Sequence, residues 1–477
     1  MRVILINPPL CPSIVKSLGP ITRSLFYNSA PLGICYIAAV LREDGHEVKI
    51  IDAAVEGLSE DALLKRIRNN SPEIVGITTV TVSSQSVYEL AKKIRSTFST
   101  VKIIIGGPHI SSNPEDLLNH REVDLAVIGE GEVTFKEVVR AINKNQNLNK
   151  VEGLAYVNGD QKIYFTPPRS FIADLDILPF PARDLVPVDL YRPQPNDQKK
   201  LPKFSMITSR GCPYSCIFCD KNVFKNVYRS FSPSYIVKEM KHLIRDYKAR
   251  DIAFVDSTFT PSKNRVYGII EEIKKYNLEV SWTCSVRVDV LDEELLRAMK
   301  NAGCWRVRLG IESGNDEVLK FIKKGITKYQ VEKVANWAYE IGLEPKGFFM
   351  IGHPTETIHT IEETIRFASK LPLKDITVQI NTPIRNTFQY QLIGKYGKLA
   401  VTDSSQYSFW EPVFVPNGIR YSELSYYYAK FYLKFYLRPI VWYRHIKDIN
   451  SLTDIVKYIK GLGIIFYFFN LWLKKKL

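Results

Sequence analysis

The chain has 477 residues, of which 45% are hydrophobic and 24% charged, and its formal charge at pH 7 is +15. At ~150 residues per domain it is long enough for about three domains, and its composition excludes a disordered chain, a collagen-like chain and a small disulfide scaffold. Its seven cysteines form an odd, sparse set, which argues against a disulfide framework and favours a reducing, cytoplasmic compartment.

Residues 1–145 alternate short apolar runs with amphipathic stretches. Five runs rich in β-branched residues are expected to be strands, at 3–7, 47–51, 73–78, 101–105 and 124–128. Buried strands separated by helices predict a doubly wound parallel sheet. Such sheets bind ligands outside the carboxyl ends of their strands.

The loops that follow three of these strands are candidates for a binding face. Their candidate residues are Asn7, Gly106, Gly107, His109, Gly129 and Glu130. Glycines let a backbone approach a ligand closely, although each loop taken alone is equally explained as a short turn. No G-x-G-x-x-G follows the first strand, which disfavours dinucleotide binding.

Three segments of this region carry a family resemblance. PLGICYIAAVLREDGHEVKIIDA, IIIGGPH and DLAVIGEGE resemble the cobalamin-binding domain that precedes many radical SAM cores. The resemblance implies cobalamin as a cofactor, with its corrin on the strand ends near Asn7, His109 and Glu130. The Asp-x-His-x-x-Gly motif is absent, so a histidine that replaces the lower axial base is not predicted.

Residues 146–200 are rich in proline and polar residues, as in TPPRS, LPFPARD and RPQPNDQKK. This composition predicts a linker that crosses between domains as an extended segment with short hairpin strands.

The strongest motif is SRGCPYSCIFCD, which spaces Cys212, Cys216 and Cys219 as C-x3-C-x2-C. An apolar run precedes it, so the motif is expected in a loop at the carboxyl end of a strand. Three thiolates on one loop can hold three corners of a [4Fe–4S] cubane and leave the fourth iron open. A closed zinc site needs a fourth protein ligand, and no second C-x2-C pair follows.

The motif resembles the radical SAM signature, with Phe218 as the aromatic residue before the last cysteine. The resemblance covers about residues 200–400. It implies S-adenosylmethionine bound to the open iron, reductive cleavage to a 5′-deoxyadenosyl radical, and hydrogen abstraction from an unactivated carbon. It also implies a low-potential electron donor such as ferredoxin or flavodoxin.

Residues 201–400 repeat a strand–helix pattern six times. The apolar runs are FSMIT, IAFVD, VSWTCSV, WRVRLGI, KGFFMIG and ITVQINT, and helical stretches separate them. The pattern predicts a partial (β/α)6 barrel whose active site lies on the carboxyl-terminal face.

Residues at the ends of these strands are the further candidates. By resemblance, the S-adenosylmethionine site comprises Phe218, Asp256, Ser285, Arg308, Glu312 and Ser313. Catalytic or substrate-binding candidates are Cys284, Arg287, His353 and Gln379. The alternative for each is a hydrogen-bonding residue that fills the barrel mouth. The family usually has two acidic residues where this chain has Asp256 and Ser257, so a second carboxylate role is not expected.

Residues 401–477 are dense in aromatic and basic residues. The apolar run Leu462–Leu473 is shorter than the ~20 residues that a membrane span needs. Two interpretations stay open: a helix that lies in the membrane interface, and a helical cap packed over the barrel mouth with Lys474–Lys476 as a solvated tail.

These features predict an α/β enzyme in four parts, at 1–145, 146–200, 201–400 and 401–477. The leading function is cobalamin-dependent methylation of a hydrophobic, lipid-like substrate, in the cytoplasm or peripherally at the inner face of the membrane. The second is radical cyclisation, or other C–C or C–O bond formation, on a membrane lipid or tetrapyrrole. A non-catalytic corrinoid or metal carrier is a third. The basic residues are scattered, so no nucleic-acid partner is expected.

Overall fold

A computed structural model describes residues 1–9, 11, 29–446, 463 and 467–473. The chain divides into two compact units, which are described separately. The amino-terminal unit comprises Met1–Pro193, Lys221–Arg229 and Asp403–Tyr407, and the barrel unit comprises Gln194–Asp220, Ser230–Thr402 and Ser408–Leu477. The four-part division expected from composition stays a prediction.

The amino-terminal unit is built on a seven-stranded sheet. Its strands are β1 Arg2–Asn7, β2 Glu47–Asp52, β3 Ile74–Thr78, β4 Lys102–Gly106, β5 Leu125–Val127, β6 Leu154–Val157 and β7 Ile163–Phe165. Its helices are α1 Leu32–Glu43, α2 Ala53–Glu56, α3 Glu60–Asn70, α4 Ser84–Thr97, α5 Pro108–Ser112 and α6 Gly131–Asn143. The spatial order is β2-β1-β3-β4-β5-β6-β7, and the first five of these strands run parallel. The predicted doubly wound sheet is confirmed.

Alternation along β1 explains why helices cover both faces of this sheet. Val3 and Leu5 lie in one buried core with Phe135 of α6, whereas Ile4 and Ile6 lie in the other, with residues of α3 and α4. Side chains of a strand alternate between faces, so an all-apolar strand requires cover on both. The hairpin β6–β7 extends the sheet antiparallel to β5.

The barrel unit contains six parallel strands in sequence order. They are β8 Lys203–Met206, β9 Asp251–Phe254, β10 Ser281–Val286, β11 Cys304–Glu312, β12 Glu344–Ile351 and β13 Asp375–Ile380. The helices between and after them are α7 Pro233–Tyr247, α8 Lys263–Lys275, α9 Glu293–Asn301, α10 Asp316–Phe321, α11 Lys328–Glu340 and α12 Ile358–Lys370. This confirms the six predicted β/α repeats. A sheet of six such strands leaves β8 and β13 as edges.

The aromatic segment covers one of those edges. After a short hairpin of β14 Gly397–Leu399 and β15 Phe414–Pro416, the chain forms α14 Tyr421–Tyr436 and α15 Pro439–Ile446, with α13 Ile393–Tyr396 before them. The Tyr432 hydroxyl accepts from Val378 N at 2.9 Å and donates to Val378 O at 3.0 Å. Tyr436 makes the equivalent pair with Ile376. Tyrosine hydroxyls thus satisfy backbone groups of edge strand β13 that a seventh strand would otherwise occupy.

Helix α14 therefore lies along β13, a placement that differs from a cap over the barrel mouth. Within the run Leu462–Leu473, residues 462 and 464–466 lie outside the described residues, as do Lys474–Lys476. In the described part, the buried Phe468 ring stacks on Tyr432 at 4.0 Å between centroids. Among the described residues, we find no helix that combines the length and the apolar character needed to cross a membrane.

Candidate active site

The three motif cysteines lie on one irregular loop after β8, where no regular hydrogen-bond ladder fixes the backbone. Gly211 opens the loop with a φ of +77°, in the left-handed region that glycine tolerates best. All three thiols are free of disulfides; those of Cys212 and Cys216 are partly buried and that of Cys219 is exposed. The loop is anchored in its middle, because Ile217 N donates to Ile322 O at 3.1 Å.

Asp256 holds the turn that leads into this loop. It is buried, and its Oδ1 accepts from the backbone N–H of Thr208 at 2.6 Å and of Ser209 at 2.9 Å. Burial raises the pKa of its carboxyl group, while the nearby Arg265 and these donors act against that shift. Asp256, which the sequence suggested as an S-adenosylmethionine contact, therefore has protein partners in this structure. These contacts position the turn that precedes the cysteine loop.

Arg287 lies next to the cysteine loop. Its Nη1 is 4.0 Å from Cys216 Sγ, and its guanidinium lies over the Tyr214 ring at 3.6 Å from the centroid. Sequence reasoning selected Arg287 but missed Tyr214, because an aromatic residue inside a metal-binding loop is ordinary in composition.

The end of β11 brings an acidic and a basic side chain together. Lys324 Nζ donates to Glu312 Oε1 at 2.6 Å, and both side chains are about nine-tenths buried. Glu312 has a φ of +66° and follows a register shift at Gly310, so a bulge aims its side chain. A Cβ on Gly310 would lie 2.9 Å from Lys324 Nζ, so a larger residue there would require the lysine side chain to shift.

Lys324 is the functional residue that sequence reasoning missed. It follows α10 and precedes Gly325, and a lysine followed by glycine is the usual end of a helix. No local signal therefore separates it from a capping residue.

Two predicted S-adenosylmethionine contacts are engaged elsewhere. Ser313 Oγ lies 3.2 Å from Thr364 Oγ1 of α12. Arg308 was expected at the end of its strand, but it lies inside β11, and its Nη2 donates to both Asp197 carboxylate oxygens at 3.0 Å. Asp197 also pairs with Lys203, the first residue of β8. The expected position of Arg308 is therefore wrong, because strand β11 extends four residues beyond it.

His353 and Glu356 follow β12 in a fully buried turn. The His353 ring lies 5.9 Å from the Phe218 ring, and neither of its nitrogens has a hydrogen-bond partner within the described part of the chain. Burial and the charge of Lys324 lower the pKa of His353 to about 3, so its imidazole is neutral. Glu356 accepts from Gly352 N at 2.5 Å and His353 N at 2.9 Å, and burial raises its pKa to about 8.

The remaining barrel candidates differ in exposure. Cys284 is fully buried beside Cys304, and burial raises the pKa of its thiol well above the usual value. Such a thiol is neither nucleophilic nor accessible. Ser285 and Gln379 are half-buried on β10 and β13.

The cysteine loop offers three thiols that are in no disulfide, which is the number that a [4Fe–4S] cubane with one open iron takes from the protein. Among the described residues, no three His, Cys, Asp or Glu side chains form a group that could hold one metal ion. A tetrahedral zinc site would need its thiolates ~3.8 Å apart at a Zn–S distance of ~2.3 Å. In a cubane each thiolate binds a different iron, so the three sulfurs stand farther apart.

At the edge of the amino-terminal sheet, most predicted residues already have protein partners. His109 is 2% exposed, with Nε2 2.9 Å from Asp116 Oδ2 and Nδ1 3.2 Å from Thr81 Oγ1. Both nitrogens are engaged, so the ring is not placed to bind cobalt. This agrees with the absence of the Asp-x-His-x-x-Gly motif.

Glu130 and Asn7 are also engaged. Glu130 Oε2 accepts from Ile172 N at 3.0 Å and from Arg229 Nη1 at 2.8 Å. Asn7 donates to the buried Asp52 at 2.9 Å, and Tyr191 donates to the same carboxylate at 2.8 Å.

The glycines leave room for a ligand at this edge. Gly129 has a φ of +84°, and no atom lies within 4 Å of where its Cβ would stand. Gly107 is needed for packing, because a Cβ there would lie 2.7 Å from Thr79 O. Of the three candidate glycines, Gly129 is therefore the one that leaves open space where a ligand could approach the backbone.

Comparison with protein families gives two matches that do not overlap. The profile of the Radical SAM superfamily matches residues 206–368, and that of the B12 binding domain matches residues 20–139. The first contains the cysteine loop, and the second contains the glycine edge of the amino-terminal sheet.

Two relatives cover nearly the whole chain. An uncharacterized methyltransferase of Pyrococcus horikoshii, PH0819, is 35% identical over 471 residues, 98% of this chain and 99% of its own. An anaerobic magnesium-protoporphyrin IX monomethyl ester cyclase of Rubrivivax gelatinosus is 28% identical over 94% of this chain and 80% of its own.

A solved structure has the same fold. It is the radical S-adenosylmethionine methyltransferase TsrM of Kitasatospora setae with cobalamin and a [4Fe–4S] cluster bound. Its TM-score is 0.68 at 16% identity, over 92% of this chain and 89% of that one. At this identity the likeness establishes the fold alone.

Proposed function

This chain belongs to the radical SAM enzymes that carry a B12-binding domain, and from that premise we propose that it methylates an unactivated carbon of a hydrophobic, lipid-like substrate. Its membership confirms that it is an enzyme and not a passive carrier. It also confirms the predicted cofactors: a [4Fe–4S] cluster, S-adenosylmethionine and cobalamin.

One observation supports the reaction most strongly. Three thiols that are in no disulfide lie on a single loop, and in the same unit the buried Glu312, the last residue of β11, pairs with Lys324. Cys212, Cys216 and Cys219 would hold the cluster there, and it would supply the electron for cleavage of the sulfonium of S-adenosylmethionine. The ammonium of Lys324 can pair with the carboxylate of that cofactor, and Glu312 can accept from its amino or ribose groups. For the same ligand, His353 offers a neutral ring whose nitrogens are unpaired among the described residues. The neighbouring Phe218 offers an apolar face.

We assign cobalamin to the edge formed by Gly106, Gly107 and Gly129. Gly129 has open space where a side chain would be. Asn7, His109 and Glu130 stabilise this edge through their bonds to Asp52, Asp116 and Arg229 rather than by contact with cobalt.

The hydrophobic substrate class is supported by the surface of the carboxyl-terminal helices. Exposed apolar side chains group around α15, namely Leu437, Ile440, Trp442, Tyr443 and Ile446. Aromatic and aliphatic side chains beside basic residues suit peripheral contact with a membrane that holds the substrate. The reductant is a low-potential donor of the ferredoxin or flavodoxin class.

Ring closure without methyl transfer is the second candidate function. It is favoured by the relative from Rubrivivax gelatinosus, which matches 94% of this chain and is named as a cyclase.

The test is anaerobic turnover by the reconstituted chain. With dithionite, S-adenosylmethionine and methylcobalamin, the wild type should form 5′-deoxyadenosine, and the Cys216→Ala variant should not. With a lipid extract added, methyl transfer should yield a methylated lipid and S-adenosylhomocysteine. Ring closure should yield 5′-deoxyadenosine and methionine without S-adenosylhomocysteine. Absence of 5′-deoxyadenosine above the Cys216→Ala level would overturn both.

A further inference from the structure

The side chain of Arg287 is held in a fixed orientation by two partners. It follows β10 directly, and its Nε and Nη2 each donate to a carboxylate oxygen of Asp289 at 3.0 Å. Nη2 also donates to Lys324 O at 2.6 Å. Because the guanidinium is planar, three bonds along one side determine where its other side points.

That other side meets the cysteine loop at two places. The plane lies 3.6 Å from the ring centroid of Tyr214, and Nη1 is 4.0 Å from Cys216 Sγ. Tyr214 stands between Cys212 and Cys216 in the motif. A single cation therefore contacts both the aromatic residue inside the loop and one of its sulfurs, although Arg287 itself is only 6% exposed.

A buried cation beside a cluster sulfur favours the reduced cluster, which carries one more negative charge. Net charge, hydrogen bonds to the sulfurs and burial are the means by which proteins set the potential of iron–sulfur clusters. Asp289 opposes this effect, because its carboxylate pairs with the same guanidinium and is itself about four-fifths buried.

We propose that Arg287 is a positioning residue that orients the cysteine loop through Tyr214 and raises the reduction potential of the cluster, and that Asp289 moderates it. The inference rests on the proposed function only in requiring the cluster. It reassigns Arg287, which the sequence suggested as a substrate contact, to the side of the cluster.

The experiment measures the cluster without substrate or turnover. The full chain is reconstituted anaerobically as wild type, Arg287→Gln, Arg287→Lys, Asp289→Asn and Arg297→Gln. Iron and sulfide are counted, and the reduced cluster is followed by EPR in a redox titration. Arg297 is the matched control, since it is an exposed arginine of α9 paired with Glu293.

Removing the positive charge of Arg287 and removing the negative charge of Asp289 should shift the reduction potential of the cluster in opposite directions. At a fixed potential, Arg287→Gln should lower the ratio of reduced to oxidised cluster about tenfold, which equals ~59 mV for a one-electron couple. Asp289→Asn should raise that ratio. Arg287→Lys should lie nearer the wild type, because it keeps the charge and loses the planar contact with Tyr214. Arg297→Gln should not shift the ratio.

Several outcomes would overturn the inference. Unchanged potentials in variants that keep about four irons would do so, and so would shifts of the same sign in Arg287→Gln and Asp289→Asn. If Arg287→Gln does not take up iron, Asp289→Asn decides, and an unchanged or lowered ratio of reduced to oxidised cluster in that variant would overturn the inference. A wild-type chain that takes up no cluster would overturn the proposed function as well, whereas an intact cluster with unshifted potentials would overturn this inference alone.

Discussion

The carboxyl ends of the two parallel sheets differ in what their polar side chains contact. At the amino-terminal sheet, His109, Glu130 and Asn7 are each bonded to a protein partner. At the barrel, the thiols of Cys212, Cys216 and Cys219 are in no disulfide, and both ring nitrogens of His353 are unpaired among the described residues. The two edges therefore support different proposals: binding through side chains at the barrel, and approach to the backbone near Gly129 at the amino-terminal sheet.

The cysteine triad offers the largest effect with which to test this contrast. Cys216→Ala should lower bound iron at least tenfold after anaerobic reconstitution, because a cubane with two protein thiolates is poorly held. Cys284→Ala is the matched control, since that thiol is fully buried away from solvent. It should keep about four irons per chain and lose only the ~1–2 kcal/mol expected for a small buried group. Equal iron loss in both would contradict the assignment.

The buried Glu312–Lys324 pair gives the next largest effect. Lys324→Met removes the cation and leaves Glu312 buried without its partner. We expect S-adenosylmethionine to bind at least about thirtyfold more weakly, which corresponds to the lower end, ~2 kcal/mol, of the cost of breaking such a pair. The measurement is equilibrium binding to the cluster-loaded chain.

Lys320→Met is the control for that variant, because Lys320 is exposed on α10. It should bind S-adenosylmethionine like the wild type. Wild-type affinity in Lys324→Met would exclude Lys324 from the cofactor site.

How much of the fold and of the candidate site could be predicted from the sequence depends on whether a feature is set by neighbouring residues or by residues far apart in the chain. The six β/α repeats and the five amino-terminal strands were predictable, because apolar runs of period two and helical stretches are local patterns. The cysteine loop was predictable because the spacing of its three cysteines is enough to identify a motif that binds a cluster. Lys324 was not, since only a bulge at Gly310 brings Glu312 to it.

Arg308 and His109 were selected for their places near strand ends, and the structure shows partners that the sequence did not. The side chain of Arg308 pairs with Asp197, and that of His109 contacts Asp116. Asp197 lies 111 residues from Arg308 in the chain, so a local motif cannot reveal that ion pair. The position of α14 was equally hidden, because bonds between tyrosine hydroxyls and the backbone of β13 have no sequence pattern.

The amino-terminal edge gives a smaller effect, and for His109 this effect falls on stability and not on cofactor binding. His109→Ala should lower stability by about 2–3 kcal/mol, because it removes a buried ring that contacts both Asp116 and Thr81, and it should leave cobalamin affinity unchanged. Gly129→Val should weaken cobalamin binding, since its side chain would fill the open space at this edge, and it should also lower stability, because a β-branched residue is strained at a φ of +84°. Loss of cobalamin binding in His109→Ala at full stability would show that the histidine contacts the corrin after all.

The smallest effect concerns the buried turn after β12. Glu356 has a pKa of about 8 in the folded chain, against an ordinary value of 4.5, so between these values the folded chain holds a proton that the unfolded chain releases. Its contribution to stability is therefore complete below pH 4.5 and is lost as the pH rises through 8. His353, with a pKa of about 3, stays neutral throughout this window and adds nothing to the change.

Glu356→Gln keeps an oxygen to accept from Gly352 and His353 but cannot ionise, so its Tm should fall less than that of the wild type between pH 6 and 9. The expected gap is about 2–4 °C for each kcal/mol of lost stability. Glu332→Gln, an exposed change of the same charge on α11, should follow the wild type. Parallel Tm curves for Glu356→Gln and the wild type would mean that burial does not hold this carboxyl group protonated at pH 6 and above.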